Sequence, residues 1–97
     1  MAKRDEIISI VRSLEGHVRK EYKAEVIGVF GSYARGEQTA HSDVDVLVRF
    51  LDGATLFDFV GLGDFLEDEL RVKVDIVSER AIREELREQI LREVVTV

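Results

Sequence analysis

Cysteine is absent from this 97-residue chain, which rules out a disulfide framework and thiolate chemistry and fits a reducing compartment. Basic residues are in deficit, with 14 Lys and Arg against 20 Asp and Glu for a formal net charge of −6. Affinity for nucleic acid rests on neutralising phosphates with Lys and Arg, so no direct nucleic-acid binding is expected. No run is long and apolar enough to span a membrane, and the N-terminus lacks the apolar core of a signal peptide. A cytoplasmic protein is the expectation. Room for a second module is missing too: 97 residues, 45% of them hydrophobic, make one domain, residues 1–97, around one core. Any acceptor-recognition domain has to come from elsewhere.

What is present centres on one stretch, Val29-Phe30-Gly31-Ser32-Tyr33-Ala34-Arg35-Gly36-Glu37, followed by Ser42-Asp43-Val44-Asp45-Val46-Leu47-Val48. An apolar strand runs into a Gly-Ser turn, and a second apolar strand opens with two aspartates one residue apart. Strand side chains alternate between faces, so Asp43 and Asp45 point the same way and can grip divalent cations together. Mg²⁺ suits one or two carboxylates plus substrate phosphates. Gly31 lets backbone N–H groups approach a phosphate, and Ser32 adds a hydroxyl at the start of a short helix that it would cap. A lone Asp-x-Asp would be read as solvated strand ends; the Gly-Ser turn at this separation favours a nucleotide and metal site.

Along the chain, Ile7, Val11, Leu14 and Val18 predict an amphipathic helix over about Lys3 to Lys23, with Gly16 as a weak point. Glu25 to Phe30 reads as a strand, Tyr33 to Glu37 as a short helix closed by Gly36, and Asp43 to Phe50 as a strand buried on both faces. Ala54 to Leu70 predicts a helix with Leu56, Phe59, Val60, Leu66 and Leu70 on its stripe. Phe57, Phe59 and Phe65 are expected in the core, and Glu67-Asp68-Glu69 on a solvated face. Arg71 to Ser78 is a third strand, carrying Asp75 in an apolar setting. Asp75 is either a third metal ligand or a salt-bridged strand aspartate, and local sequence does not choose between them. Arg35 is expected in a salt bridge with a neighbouring carboxylate, Lys73 in a surface ion pair, and His17 and His41 on a helix surface and in a loop. Ile82, Leu86, Ile90 and Val94, at steps of four, predict a closing helix with an apolar tail from about Glu79. Val94, Val95 and Val97 are either a contact patch or packing for the chain's own sheet. The order of elements gives an α/β domain with a small sheet flanked by helices.

An apolar residue, Gly31-Ser32, ten intervening residues and Asp43-Val44-Asp45-Val46 resemble the signature of the DNA polymerase β-type nucleotidyltransferase superfamily. The fuller run, Gly31 to Glu37 with Ser42 to Asp45, is similar to its smallest members, the minimal nucleotidyltransferases or MntA-type antitoxins, which are paired with HEPN-domain toxins. The resemblance implies a mixed sheet in the polymerase β-like fold. It implies ATP as donor and two Mg²⁺ ions held by Asp43, Asp45 and Asp75 as the catalytic and metal-binding residues, with Gly31 and Ser32 on the nucleotide. It further implies AMP transfer to a hydroxyl of the partner ribonuclease toxin. Two other functions compete with it: a nucleotide-binding module that neutralises its partner by contact alone, and transfer to a small molecule such as an aminoglycoside.

Overall fold

Ile7, Ile8, Val11 and Val18 form the buried side of helix α1 (Arg4–Tyr22) in the computed structural model, which describes residues 3–97. Gly16 leaves the helix continuous, because it faces open space and costs only its poor helix propensity, about 1 kcal/mol. Lys23, in the left-handed conformation at φ 51°, turns the chain into strand β1 (Ala24–Phe30). A short helix α2 (Gly31–Arg35) follows, then β2 (Val44–Phe50), helix α3 (Leu56–Leu70), β3 (Val74–Ser78), a 3₁₀ turn (Glu79–Ala81), helix α4 (Glu84–Glu93) and β4 (Val95–Thr96).

The four strands form one mixed sheet in the order β3-β2-β1-β4. β2 and β3 are parallel, whereas β1 is antiparallel to both its neighbours. A parallel pair needs a crossover, and α3 supplies it. Helices α1 and α3 cover one face, where Val11, Val18, Val29, Val46, Val48, Leu62 and Leu66 are fully buried. An irregularity in β1 between Val26 and Gly28 sets the phase of that strand. Strict alternation would put Gly28 on the core face after Val26; the extra residue instead brings Val29 onto that face opposite Val46 and leaves Phe30 opposite Asp45. The other face is only partly covered: Leu47 is buried, but Asp45 is half-buried and Arg49 exposed. β2 is therefore not closed on both faces as its composition suggests. The charged residues on the open side pair at its far end, Arg49 with Glu79 at 2.8 Å and with Glu25 at 3.6 Å.

α3 departs from its expected stripe. Leu62, Leu66 and Leu70 are buried, yet Leu56, Phe57 and Val60 are exposed. Phe57 and Phe59 are thus not core residues, although Phe59 touches Phe50 with ring centroids 5.8 Å apart; Phe65 packs against the core and on the His17 ring at 4.8 Å. Gly61 admits α1, since a Cβ there would lie 3.0 Å from Tyr22 Cε1. The start of α3 is fixed by Asp58, whose carboxylate accepts the Thr55 N–H at 2.8 Å. Glu67 is not merely solvated, because it accepts the Val74 N–H at 2.9 Å and so anchors the start of β3.

The C-terminal segment is the largest departure from expectation. The helix stops at Glu93, Leu86 is exposed, and Val95–Thr96 add a strand to the edge of β1. Val97 donates its N–H to Ile27 O at 3.1 Å, and Val95 and Val97 pack on the core. The valine-rich end therefore serves the chain's own sheet. Steps of four catch Ile82, which is buried, but at residues 94–97 the β-branched run wins over helical periodicity. Gly28 makes this possible: a Cβ there would come within 2.7 Å of Val94 Cγ2 and 2.9 Å of the Val95 carbonyl carbon. No helix among the described residues is long and apolar enough to cross a membrane.

Because backbone of β4 stands in the way, Gly28→Val is expected to destabilise the fold by about 2–3 kcal/mol, at the upper end of overpacking costs. Urea unfolding checks this, and an unchanged midpoint would mean that β4 does not press on Gly28.

Candidate active site

The open face of the sheet carries its acidic residues at one end, where β1 finishes and β2 and β3 begin. Asp45 is the second residue of β2 and Asp75 the second of β3, and parallel pairing sets them directly side by side. Asp43 stands one residue before β2, exposed. On the other flank of Asp45 the register places Phe30, the last residue of β1, and Gly31 follows it.

Gly31 has φ +75°, a conformation strained for any residue with a side chain. The space a Cβ would need is filled by Asp45: such an atom would overlap Asp45 Oδ2 and lie 3.0 Å from Cγ. The Asp45 carboxylate thus rests on the bare Cα of Gly31, tying the turn to the acidic row. Ser32 does not cap α2; Phe30 holds the N-cap position, and Ser32 lies inside the first turn, half-buried. Its carbonyl accepts the Glu37 N–H at 2.9 Å, while its hydroxyl has no hydrogen-bond partner among the described residues. Gly36 closes the helix at φ 72°, as its position in the sequence predicts.

Arg35 makes the expected salt bridges, to Glu37 at 2.8 Å and to both carboxylate oxygens of Glu93 at 3.3 Å. The second pair fastens α2 to α4. Between α2 and β2 the loop is held by Ser42, whose hydroxyl accepts the Thr39 N–H at 2.8 Å, and by Thr39, whose hydroxyl accepts the His41 N–H at 3.2 Å. That turn delivers Asp43 to the edge of the sheet. Sequence reasoning passed over Thr39, although a hydroxyl residue three positions ahead of Ser42 is a turn signal.

Burial, reinforced by repulsion from Asp75 and then from Asp43, pushes the Asp45 carboxyl up to about 6, with Arg35 offsetting a part. Three carboxylates therefore share one electrostatic field. Asp75 itself is exposed and enters no ion pair among the described residues. Its setting is not the apolar one inferred from its neighbours, because the strand turns it to the open face. Among the described residues no three acidic, imidazole or thiol groups are close enough to enclose an ion alone. The set is an open rank of hard oxygen donors, which fits a cation whose remaining ligands come from phosphates and water.

Beside Asp43 opens a cleft of about 790 Å³ whose lining includes Tyr33, Thr39, His41, Arg71 and Lys73. Lys73 enters no ion pair among the described residues but lies on this wall, and His41 is a loop residue as expected. Arg71 was missed by sequence reasoning; it caps α3 at φ 60°, a position where glycine is usual.

With divalent cations chelated, the raised pKa of Asp45 makes its ionisation unfavourable to folding. Stability from this group is full below its unfolded value of 3.8 and is lost as pH rises through about 6. Asp45→Asn removes that penalty. It is expected to raise stability at pH 7.5 by an amount on the order of 1–2 kcal/mol after solvent screening, with the gain vanishing toward pH 4. Thermal unfolding in EDTA across this range checks it; a mutant less stable than wild type at pH 7.5 would contradict the electrostatic picture.

Comparison with known proteins agrees with this geometry. The sequence profile of the nucleotidyltransferase domain matches residues 6–97. The protein adenylyltransferase MntA of Thermococcus cleftensis is 40% identical over 93 residues, 96% of this chain and 94% of its own. A Methanocaldococcus jannaschii protein assigned as a protein adenylyltransferase is 44% identical over 78 residues, 80% of each chain. Among solved structures, one described as a minimal nucleotidyltransferase superposes with a TM-score of 0.76 at 43% identity, covering 93% of this chain and 95% of its own. A toxin–antitoxin crystal structure with AMP-PNP superposes with a TM-score of 0.69 at 26% identity, covering 98% and 72%. The mixed sheet, its flanking helices and these relatives place the chain in the nucleotidyltransferase-domain family, in the minimal, MntA-type branch, and make it a nucleotidyltransferase.

Proposed function

We propose that this chain transfers AMP from ATP to a hydroxyl of a partner protein, that the partner is a HEPN-domain toxin, and that the chain acts as a single domain. The observation that carries the site assignment is the seat of the Asp45 carboxylate on Gly31, which joins the turn suited to phosphates to the row suited to cations. The nature of the acceptor is supported by the relatives: one is a protein adenylyltransferase, and another is a toxin–antitoxin assembly containing an ATP analogue.

In this scheme Asp43, Asp45 and Asp75 are the residues that would hold two Mg²⁺ ions, with Asp75 serving the acceptor side. Bound there, the ions supply a lowered pKa for the acceptor hydroxyl and charge neutralisation for the departing phosphates. Gly31 gives the triphosphate tail access to backbone N–H groups, and the unpartnered Ser32 hydroxyl donates to a phosphate oxygen. Asp75, exposed at the rim, orients the acceptor hydroxyl and accepts its proton. The acceptor oxygen bonds to the α-phosphorus as the bond to the bridging oxygen breaks, and pyrophosphate leaves. The salt bridges of Arg35 keep α2, and with it Gly31 and Ser32, in register with the row. A cytoplasmic location is part of the same proposal.

Gly31→Val is expected to abolish Mg²⁺-ATP binding by calorimetry, since it both strains the turn and displaces Asp45. Ser32→Ala, which removes one hydroxyl donor to a charged group, is expected to weaken binding by about 1–3 kcal/mol. Unchanged affinity in folded Gly31→Val would put the triphosphate elsewhere. For the reaction itself, intact-mass analysis of a HEPN-domain toxin co-expressed with this chain is expected to show added AMP, and none with Asp43→Asn/Asp45→Asn. A neutralised but unmodified toxin would establish neutralisation by contact instead.

A further inference from the structure

We infer that the outward stripe of α3 is a docking surface for the protein partner, and that it receives a surface on which apolar side chains are followed by Lys or Arg. This rests on the proposal that the chain acts on a protein.

Leu56, Phe57 and Val60 are 76%, 89% and 54% exposed, an apolar patch at the start of the helix that no other described residue covers. Phe57, Val60, Asp64 and Asp68 follow one another at spacings of three, four and four, so they lie along one side of the helix. That side is apolar in its first half and acidic in its second. Across Leu56–Leu70 there are five carboxylates and no Lys or Arg. Asp58 is used on the Thr55 N–H and Glu67 on the Val74 N–H. Asp64, Asp68 and Glu69 enter no ion pair among the described residues. Glu67, Asp68 and Glu69 also crowd the C-terminal end of the helix, where the macrodipole already concentrates negative charge. A helix folding for its own stability would carry bases there, as α1 does with Arg19 and Lys20.

The occupant follows from this charge. Nucleic acid and anionic lipid are repelled. A second copy would set five carboxylates against five, and the apolar part, on the order of 400–500 Å², falls short of the ~800 Å² per partner of a stable interface. A partner with an apolar then basic surface satisfies both halves, with the charged half steering association. Phe59, next to the patch, packs on Phe50, at the opposite end of β2 from Asp45. Five residues of strand place the two roughly 17 Å apart. The apolar half of the docking surface therefore lies at the far end of β2 from the acidic row, while its acidic half runs back toward the end of the sheet where Glu67 meets Val74, and the acceptor hydroxyl reaches the row from a segment beyond the docked surface.

The test uses a purified HEPN-domain toxin and three versions of the chain: wild type, Phe57→Ser/Val60→Ser and Asp64→Lys/Asp68→Lys. These side chains are exposed, so both variants are expected to stay folded with wild-type Mg²⁺-ATP affinity, the apolar one at the wild-type unfolding midpoint and the charge-reversed one at or slightly above it, since bases suit the end of a helix. Both are expected to bind the toxin at least about tenfold more weakly by calorimetry, and the charge-reversed variant is expected to lose most of the salt dependence shown by wild type. If the variants bind less tightly but wild type adds no AMP, the docking surface stands and the proposed activity falls. If wild type adds AMP and both variants bind as tightly as it does, the surface falls and the activity stands. Absence of toxin binding by wild type overturns the surface, as does a wild-type dimer that Phe57→Ser/Val60→Ser dissociates.

Discussion

The contact between the Asp45 carboxylate and the bare Cα of Gly31 constrains everything around the site. It demands a residue without Cβ at the end of β1, at a φ that such a residue accepts easily, and it fixes where the next helix begins. It also requires that Phe30 lie opposite Asp45, which in turn depends on the irregularity between Val26 and Gly28. Without that extra residue Val29 and Phe30 would exchange faces and the turn would leave β1 on the wrong side of the sheet. The Gly31 turn and the acidic row are thus parts of one packing arrangement, set by the register of two strands.

The same strands explain the electrostatics. Parallel pairing puts Asp75 abreast of Asp45 with only a backbone hydrogen-bonding width between them, about 4.8 Å. Partial burial of Asp45 disfavours its charged form, and the repulsion adds to that, so its carboxyl holds a proton to about pH 6 when nothing else compensates. The positive charge of Arg35 opposes this, but Arg35 is engaged by Glu37 and Glu93 and offsets only a part. A fold that keeps such a group unpaired sacrifices some stability, and a site that binds cations is where that sacrifice has a purpose.

The placement of Gly31, Asp43 and Asp45 at one end of the sheet was legible because strand order and a turn glycine are local properties, whereas Ser32 lies inside α2 instead of capping it and Asp75 is exposed instead of apolar in its setting. The ion pairing of Arg35 and the C-cap at Gly36 were legible for the same reason. What the sequence concealed depends on contacts between distant segments. β4 is two residues long, and its partner β1 reveals the need for it only through Gly28, whose missing side chain makes room for Val95. Glu67 looks like one carboxylate among three until the Val74 N–H is seen pointing at it. The exposed half of α3 was misread because periodicity identifies apolar residues without saying which body they face, and Leu56, Phe57 and Val60 do not face this domain's core.

The central claim is that Asp43, Asp45 and Asp75 gather cations against a triphosphate resting on the Gly31 turn. A crystal structure with a non-hydrolysable ATP analogue and Mn²⁺, with anomalous scattering to locate the metal, tests it most directly. The account predicts two anomalous peaks, both in contact with Asp43 and Asp45 and one also with Asp75, and phosphate oxygens hydrogen-bonded at Gly31 and Ser32. Nucleotide bound with its phosphates away from Gly31, or Mn²⁺ bound without Asp45, would contradict it.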